Sequence, residues 1–356
     1  MLPTPRGAIG LGIGAIALAF LPQFVQPYYV ELATTGLIAA MLALSLQLLV
    51  GGTGLVSLGH GAFYGLAAYT VYLITPENTG LSIAITLPVA MLVAGAAALV
   101  VGAMSLRTRG FFFLMVTLAF GQMIFFVFHD TKLGGGTDGA YLVRPVLSFL
   151  GAELNFTRRQ RPYALYYVAL VQLVAMYLLL AFLLRSLFGR VLEGIRVNEH
   201  RMRALGFETY RYKLAAFVIA GMLAGIAGHM WAMHRAFVNP ELVGWHRSAE
   251  ALLMILLGGL QSLHGPILGA LAFTGLGELP QLMGDYKPFA RVFDMIGLTD
   301  LGLRIQALAE RKLLLEGLVI LAVVIALPRG LASLRLPRVI RPARGRRSDA
   351  DTRAGA

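Results

Sequence analysis

The feature that most constrains this chain is a succession of apolar runs, most of them about as long as a membrane is thick. A helix that crosses the ~30 Å hydrocarbon core needs ~20 mostly apolar residues. Ten runs approach that length, and they cover residues 8–25, 30–50, 57–74, 81–104, 111–129, 162–184, 214–233, 248–260, 266–283 and 312–327. We therefore predict an all-α, polytopic integral membrane protein with about ten transmembrane helices and glycine-broken segments. The eighth run is too short to cross upright, so we expect a half-helix or one arm of a re-entrant pair.

Composition agrees with a membrane protein. Hydrophobic residues make up 58% of the chain and charged residues 13%, about half of the ~25% that is usual in soluble domains. We predict one transmembrane domain over residues 1–327, because no polar run is long enough for a second domain. Residues 328–356 are rich in arginine and proline and are predicted to be a basic, disordered cytoplasmic tail that touches anionic lipid.

The distribution of basic residues predicts the orientation in the membrane. If the N-terminus is inside and the chain crosses ten times, the inner segments hold 18 of the 30 basic residues but only five of the 18 acidic ones. Both termini are then cytoplasmic. The main inner segment covers residues 185–213, and the longer outer loops cover 130–161 and 285–311.

A glycine-rich stretch over residues 51–69 interrupts the apolar pattern. Irregular backbone is tolerated at membrane depth only where protein or a water-filled cavity surrounds it, and transporters place substrate at such breaks. Helix packing alone explains any single glycine, whereas the whole cluster favours a substrate pathway. The residues predicted to line it here are Gly51, Gly54, Ser57, Gly59, His60 and Phe63.

A second interrupted segment, over residues 248–273, echoes the first: LLGGLQSLHGPILG against LLVGGTGLVSLGHGAFYG. Interrupted apolar segments in corresponding places of two halves indicate a transporter's central site. This adds Glu250, Gly258 and Gly259 to the predicted pathway. His60 and Glu250 stand beside the breaks, where a proton relay is one interpretation. The alternative for His60 is a hydrogen bond to a backbone carbonyl.

Two polar segments lie outside the apolar runs. KLGGGTDGAY, over residues 132–141, brings backbone amides, the Thr137 hydroxyl and the Asp138 carboxylate together on the outer side, and it is equally compatible with a flexible turn. Residues 185–213 show the spacing of short amphipathic helices at the inner face, with Gly206 expected to end one. The interpretations for this inner segment are a solvated connector and a docking surface for a soluble partner.

Several chemistries lack their motifs in this sequence. No G-x-x-x-x-G-K-[ST] phosphate loop, H-E-x-x-H metal motif or G-x-S-x-G nucleophile elbow occurs. There are no cysteines for disulfides or thiolate metal sites, and no folded basic face with interleaved aromatics for nucleic acid. We therefore predict that the chain is not an enzyme and binds no cofactor, metal or nucleic acid itself.

Four motifs together resemble the LivM-type permease of high-affinity branched-chain amino-acid ABC importers, over residues 44–327. The two that precede the inner segment are formed by Gly51, Gly54, Ser57, Leu58, Gly59, His60, Ala62 and Phe63, and by Gly135, Gly136, Thr137, Asp138 and Gly139. The other two are formed by Arg196, Glu199, Ala204, Leu205, Gly206, Tyr212, Lys213 and Leu214, and by Ser248, Glu250, Gly258, Gly259, Ser262, Gly265, Pro266, Gly269 and Ala270.

The resemblance implies a permease subunit in a bacterial inner membrane, with three kinds of protein partner. These are a second, LivH-type permease, two cytoplasmic ATPase subunits that bind ATP and Mg²⁺, and a periplasmic substrate-binding protein. It also implies that the inner segment forms coupling helices seated in the ATPase, through Glu193, Arg196, Glu199, Arg201, Ala204, Leu205 and Gly206.

The chain departs from the family pattern at Arg201-Met202, where a pair of alanines is usual, and at Gln261, where glycine is usual. The cargo expected from the resemblance is a branched-chain or related hydrophobic amino acid. Relatives that carry urea, short amides or aromatic compounds share the motifs and are the first alternative. An ion-coupled secondary transporter is the second alternative, and an intramembrane enzyme is a remote third.

Overall fold

A computed structural model describes residues 5–75, 82–142, 148–149, 152–153, 157, 159–260 and 262–285, with five isolated positions at 317, 318, 321, 330 and 331. Its helices are α1 Pro5–Phe24, α2 Pro27–Thr53, α3 His60–Ile74, α4 Ile83–Ser105, α5 Phe111–Asp130, α6 Arg161–Arg185, α7 Leu187–Ala204, α8 Thr209–Arg235, α9 Trp245–Gly258 and α10 Gly265–Asp285. The short strands are β1 Ala140–Tyr141, β2 Ser148–Phe149, β3 Ala152–Glu153 and β4 Phe237–Val238, and two 3₁₀ turns cover Gly136–Asp138 and Pro240–Leu242. The predicted outer segment from 286, the tenth span and the basic tail lie outside the described residues, apart from those five positions.

The bundle is built around α2. Its apolar window is 83% buried, and it packs against α6, α8, α9 and α10. The windows of α4, α5 and α6 are only 22–28% buried, and they expose large side chains such as Leu92, Phe112 and Phe182. Because such surfaces are stable in hydrocarbon but not in water, α4, α5 and α6 form the lipid-facing wall.

Within the described part of the chain, five helices are long and apolar enough to cross a membrane: α2, α4, α5, α6 and α8. Two further apolar stretches, Gly14–Phe24 and Gly265–Gly277, are shorter. Helix α9 has 14 residues and therefore spans ~21 Å, less than the hydrocarbon core. The polytopic helical class is confirmed, and the eighth run is the short helix that its length predicts.

The predicted helix over residues 57–74 begins too early. Helix α2 continues to Thr53 and is capped by Gly54, whose φ of +76° turns the chain and whose N–H bonds the Leu49 carbonyl. Residues 54–59 are not helical, and α3 starts at His60. The apolar pattern missed this boundary because the non-helical turn, GLVSLG over residues 54–59, is as apolar as a helix.

Glycines let α8 lie directly against its neighbours. A Cβ at Gly228 would lie 1.9 Å from the carbonyl oxygen of Tyr64 in α3. A Cβ at Gly221 would lie 2.4 Å from the Cβ of Ala98 in α4. No side chain fits at these separations, so the small-residue stripe of α8 sets the spacing of three helices.

Strands β1 and β4 join the loop after α5 to the turn after α8. Ala140 pairs with Val238 in antiparallel register, and Tyr141 pairs with Phe237. Gly139 makes this approach possible, since a Cβ there would lie 2.3 Å from the Val238 carbonyl oxygen. The pairing puts the C-terminal ends of α5 and α8 on one side of the bundle, as the predicted alternation of spans requires.

Candidate functional site

The first break lies between α2 and α5. A Cβ at Gly59 would lie 2.3 Å from the Thr117 carbonyl oxygen, so only glycine fits there. His60 is fully buried, with Nε2 2.8 Å from the Ser45 hydroxyl oxygen, and its ring meets Phe63 edge to face. The expected backbone carbonyl is therefore not the partner of His60, which pairs with a hydroxyl. Among the described residues, the Ser57 hydroxyl and the His60 Nδ1 are buried without a hydrogen-bond partner.

The second break is the turn from α9 to α10, and it is bound to α2. A Cβ at Gly258 would lie 1.8 Å from the Gly265 carbonyl oxygen, and Gly259 has a φ of +112°. Gln47 donates its side-chain N–H to the carbonyls of Leu260 at 2.7 Å and Ser262 at 3.4 Å. Sequence reasoning missed Gln47, although a lone amide inside the apolar run 30–50 was the available signal.

The start of α3, next to the first break, is joined to the start of α9. Ser248, in the first turn of α9, accepts a hydrogen bond from the Gly61 N–H at 2.7 Å. A Cβ at Gly61 would lie 2.9 Å from the Gly244 carbonyl oxygen, and one at Gly65 would lie 2.5 Å from Val243. Gly61 and Gly65 of α3 thus allow the turn before α9 to approach closely.

The described side chains of α2, α3, α8, α9 and α10 line a partly open cavity of about 270 Å³. Within it, Arg247 donates from Nη1 to Glu250 Oε2 at 2.9 Å. The Arg247 Cζ also lies 5.4 Å from the ring centroid of Trp231. The lining residues are Thr35, Ile38, Ala39, Leu42, Tyr64, Trp231, Arg247, Glu250, Met254, Phe273, Thr274 and Gly277.

The structure thus places the predicted residue Glu250 in a cavity and gives it Arg247 as a partner. Sequence reasoning missed Arg247, although its i,i+3 spacing to Glu250 was visible. His60 does not line this cavity, and no hydrogen bond joins it to Glu250 in the ranges that the structure covers. No described cluster of three His, Asp or Glu side chains is placed to hold a metal ion.

The outer glycine loop is separate from the cavity. Gly134, Gly135, Gly136 and Gly139 all have positive φ, and a Cβ at Gly134 would lie 2.3 Å from the Tyr69 ring. Thr137 and Asp138 are exposed on this turn, and neither lines the cavity. The glycines form a defined turn against Tyr69, with these two side chains on its outside.

The inner segment folds as a kinked helix. Asn198 leaves the helical conformation within α7, and its Oδ1 accepts the Arg201 N–H at 3.0 Å. At the far end, Gly206 has a φ of +89°, while the Phe207 N–H bonds the Met202 carbonyl at 3.1 Å. Such a left-handed glycine cap is a common helix terminator, so the prediction that Gly206 ends a helix is confirmed.

Glu199 holds the second part of α7 against α8. Its Oε1 accepts hydrogen bonds from Arg203 at 2.6 Å, Lys213 at 2.8 Å and Thr209 at 3.0 Å. Burial opposes ionisation of this carboxyl, but the hydrogen bond and charge of Lys213, followed by Thr209 and Arg203, outweigh burial and lower the pKa of Glu199 to about 2. The carboxylate is therefore ionised at any physiological pH.

The first part of α7 touches the end of α2. Arg196 donates from Nη1 to the Gly51 carbonyl at 2.7 Å, and a Cβ at Gly52 would lie 3.8 Å from Leu192. Six of the seven predicted coupling residues are exposed, all but Glu199: Glu193, Arg196, Arg201, Ala204, Leu205 and Gly206. Leu205 is 65% exposed, so this segment presents an apolar side chain at its surface.

These features define a polytopic membrane transport protein. The helices α4, α5 and α6 face lipid, two helix pairs broken at glycines surround a cavity, and a polar segment lies at one end of the bundle. Residues 28–326 match the family described as the permease component of branched-chain amino acid transport systems, and the chain belongs to this family.

Three curated relatives show the extent of the likeness. The permease protein LivM of Escherichia coli K12 is 34% identical over 285 residues, which are 75% of this chain and 67% of that protein. LivM of Salmonella typhimurium is 34% identical over 291 residues, covering 76% and 68% of the two chains. LivH of the same organism is 24% identical over 251 residues, covering 67% and 80%. No solved structure matches the chain.

Proposed function

We propose that this chain is a membrane-spanning permease subunit of an ATP-binding-cassette importer, and that it moves branched-chain or related hydrophobic amino acids across a bacterial inner membrane. Separate ATPase subunits supply the energy, so the chain binds no ATP or Mg²⁺ itself. Its partners are a second, LivH-type permease subunit, two cytoplasmic ATPases and a periplasmic binding protein. Both termini are cytoplasmic, and the chain crosses the membrane about ten times within residues 1–327.

The observation that carries this proposal is the double attachment of α7. Arg196 binds the Gly51 carbonyl three residues before Gly54, where α2 ends. Glu199 binds Lys213 in α8. Because α7 is fixed to both helices, a push on α7 from an ATPase is transmitted to the first break and to α8. The exposed residues 193–206 then form the coupling surface.

The substrate pathway in this proposal runs between the two breaks. It is lined by Gly51, Gly54, Ser57, Gly59, His60 and Phe63 on one side and by Glu250, Gly258 and Gly259 on the other, with Thr137 and Asp138 at the outer entrance. The Gly61–Ser248 hydrogen bond supports this arrangement, since it joins α3 just after the first break to the first turn of α9, the helix that carries Glu250. Substrate therefore passes where helix ends, and not continuous helices, meet.

The test of the proposal is assembly with an ATPase. Co-expressed with its ATPase and second permease, the chain is expected to co-purify with them and to support ATP-dependent leucine uptake in proteoliposomes. Leu205→Asp places a charge on the coupling surface without touching the core, and we expect it to abolish ATPase retention. Leu133→Asp is the matched control, because Leu133 is 49% exposed at the opposite end of the bundle. Equal ATPase retention by both variants would contradict the proposal.

Transport assays on the same preparation distinguish the alternative cargoes and the alternative energy source. Uptake of urea, short amides or aromatic compounds in preference to leucine would replace amino acids as the cargo. An ion-coupled transporter would accumulate solute in liposomes that contain this chain alone, driven by a proton gradient. A relay of that kind needs a path between His60 and Glu250, but His60 pairs with Ser45 and Glu250 with Arg247. We therefore expect no uphill uptake without ATP.

A further inference from the structure

The cavity combines one positive and one negative side chain with an apolar wall. Arg247 and Glu250 form an ion pair at 2.9 Å, with side chains that are 30% and 36% exposed. Among the described residues, Glu250 accepts a hydrogen bond from Arg247 only. Since both side chains line the cavity and neither is sealed from it, a small solute in the cavity meets both charges at once.

The Arg247 guanidinium is held in place by more than the carboxylate. Its Cζ lies 5.4 Å from the ring centroid of Trp231, and the Cζ of Arg235 lies at the same distance from that ring. A guanidinium over an indole is stabilised by the ring quadrupole. Arg247 therefore keeps a favourable partner if Glu250 turns to bind something else.

The ion pair discriminates among ligands by their charges. Both side chains are partly exposed to the cavity, and separating them is unfavourable unless each charge gains a new partner. A zwitterion offers a carboxylate to Arg247 and an ammonium group to Glu250, so both protein charges stay paired. A ligand with one charge leaves one protein group unpaired, and a neutral amide leaves the protein pair intact and gains no charge-assisted hydrogen bond.

The remaining lining sets the size and polarity of the ligand. The apolar part of the lining includes Ile38, Leu42, Met254 and Phe273. The volume of about 270 Å³ lies below the ~300–1,000 Å³ typical of sites for drug-sized ligands. A small solute with a short apolar side chain fits these limits, and a bulky cofactor does not.

We propose that this cavity is a binding site for a zwitterionic amino acid, with the α-carboxylate on Arg247, the α-ammonium group on Glu250 and the side chain against the apolar wall. The site rests on the proposed permease function and adds to it a means of selection inside the membrane. When the cavity is empty, the ion pair keeps both charges satisfied. When substrate enters, the two side chains separate onto its two ends.

The test uses the full chain in lipid nanodiscs and its own fluorescence. The sequence contains two tryptophans, Trp231 at the cavity and Trp245, which is 42% exposed. Trp245→Phe therefore leaves Trp231 as the single reporter. Titration with L-leucine is expected to give a saturable change in Trp231 emission. Competition by leucinamide, which lacks the carboxylate, and by 4-methylpentanoate, which lacks the ammonium group, is expected to be at least tenfold weaker.

Two variants test the charges directly. Glu250→Gln is expected to weaken leucine binding at least tenfold. The double variant Arg247→Gln with Glu250→Gln leaves no unpaired charge in the cavity, so it is expected to fold even if Glu250→Gln alone does not. It is expected to weaken leucine binding as much as Glu250→Gln. Glu208→Gln is the matched control, because Glu208 and Arg211 form another i,i+3 pair, on the exposed surface; its affinity is expected to stay within twofold of that of the parent chain.

The proposal is overturned if the parent chain shows no saturable leucine signal, if Glu250→Gln binds as the parent does, or if neutral isovaleramide competes as well as leucine. Failure of the permease function would look different. If the assembled importer takes up leucine and Glu250→Gln leaves the KM of uptake unchanged, the site is wrong and the function stands. If the assembled importer takes up no amino acid, the function itself is wrong.

Discussion

Glu199→Gln tests whether one carboxylate holds α7 to α8. The substitution keeps the size of the side chain and one acceptor oxygen, replaces the other oxygen by an NH2 donor and removes the charge. In the folded protein that charge is shared among Arg203, Lys213 and Thr209. The Lys213 side chain is only 8% exposed, so loss of the carboxylate leaves a nearly buried ammonium group without its counter-ion.

The size of the effect follows from the pKa of Glu199, which falls from an ordinary 4.5 to about 2. At ~1.4 kcal/mol for each pKa unit, the ionised form is preferred over the neutral form by about 3 kcal/mol. The carboxylate is 23% exposed, so solvent screening reduces this to about 2–3 kcal/mol. Glutamine imitates the neutral form, and we expect local opening of the contact to become roughly 30- to 160-fold more frequent.

Amide hydrogen exchange at pH 7, followed by mass spectrometry on the protein in nanodiscs, measures this opening. Peptides covering residues 199–213 are expected to exchange faster by that factor, while peptides from α2 change little. Glu208→Gln is the control, since the Glu208–Arg211 pair is 62% and 79% exposed and such pairs contribute little. We expect it to change exchange less than twofold.

Unchanged exchange of residues 199–213 in Glu199→Gln would refute the reasoning, because the carboxylate would then not be what holds the contact. A uniform increase across all helices would also refute it, since the effect would then be global unfolding and not release of one segment. A larger effect in Glu208→Gln would show that exposed pairs dominate at the inner face.

Three further predictions concern pH and packing. The folded-state pKa of Glu199 is depressed, so the stabilisation by its carboxylate is complete above about pH 4.5 and disappears as the pH falls towards 2. Amide exchange of residues 199–213, corrected for intrinsic rates, should therefore rise over that pH range in the parent chain. It should not rise in Glu199→Gln. Gly228→Ala puts a methyl group 1.9 Å from the Tyr64 carbonyl oxygen and should lower the stability measured by thermal unfolding by ~1–3 kcal/mol. Gly14→Ala is the control, since its methyl group meets no atom within 4 Å, and equal melting temperatures of the two variants would contradict the prediction. Tyr166→Phe removes a 2.6 Å hydrogen bond to the Leu18 carbonyl, worth ~1 kcal/mol, and should speed amide exchange in α1. Exchange of α1 equal to that in the parent chain would contradict this prediction.

Local pattern was enough for the class of protein and for the positions of most helices. A bilayer imposes a length and an apolar composition on every crossing segment, so α4, α5 and α6 begin and end within a few residues of the predicted runs. Helix ends that depend on one local residue could also be predicted from the sequence. Gly206 is an example, since it caps the helix through its own positive φ. The start of α3 was not readable, because the apolar turn over residues 54–59 looks like helix until its surroundings are known.

The site depends on contacts between residues that are far apart in sequence. Sequence motifs indicated Gly51, His60 and Glu250, and the partners of the first two came only with the fold: Arg196 at 145 residues from Gly51 and Ser45 at 15 residues from His60.

The sequence alone therefore determined that this chain is a helical membrane protein of the permease type with two glycine-rich breaks, since lipid restricts composition residue by residue. Only the tertiary structure decided that α3 is joined to the first turn of α9 through Gly61 and Ser248, that Glu250 shares a cavity with Arg247 and Trp231, and that α7 is fixed to both α2 and α8. These are properties of packing in three dimensions, where hydrogen-bond partners are set by which helices approach, and no local periodicity encodes that choice.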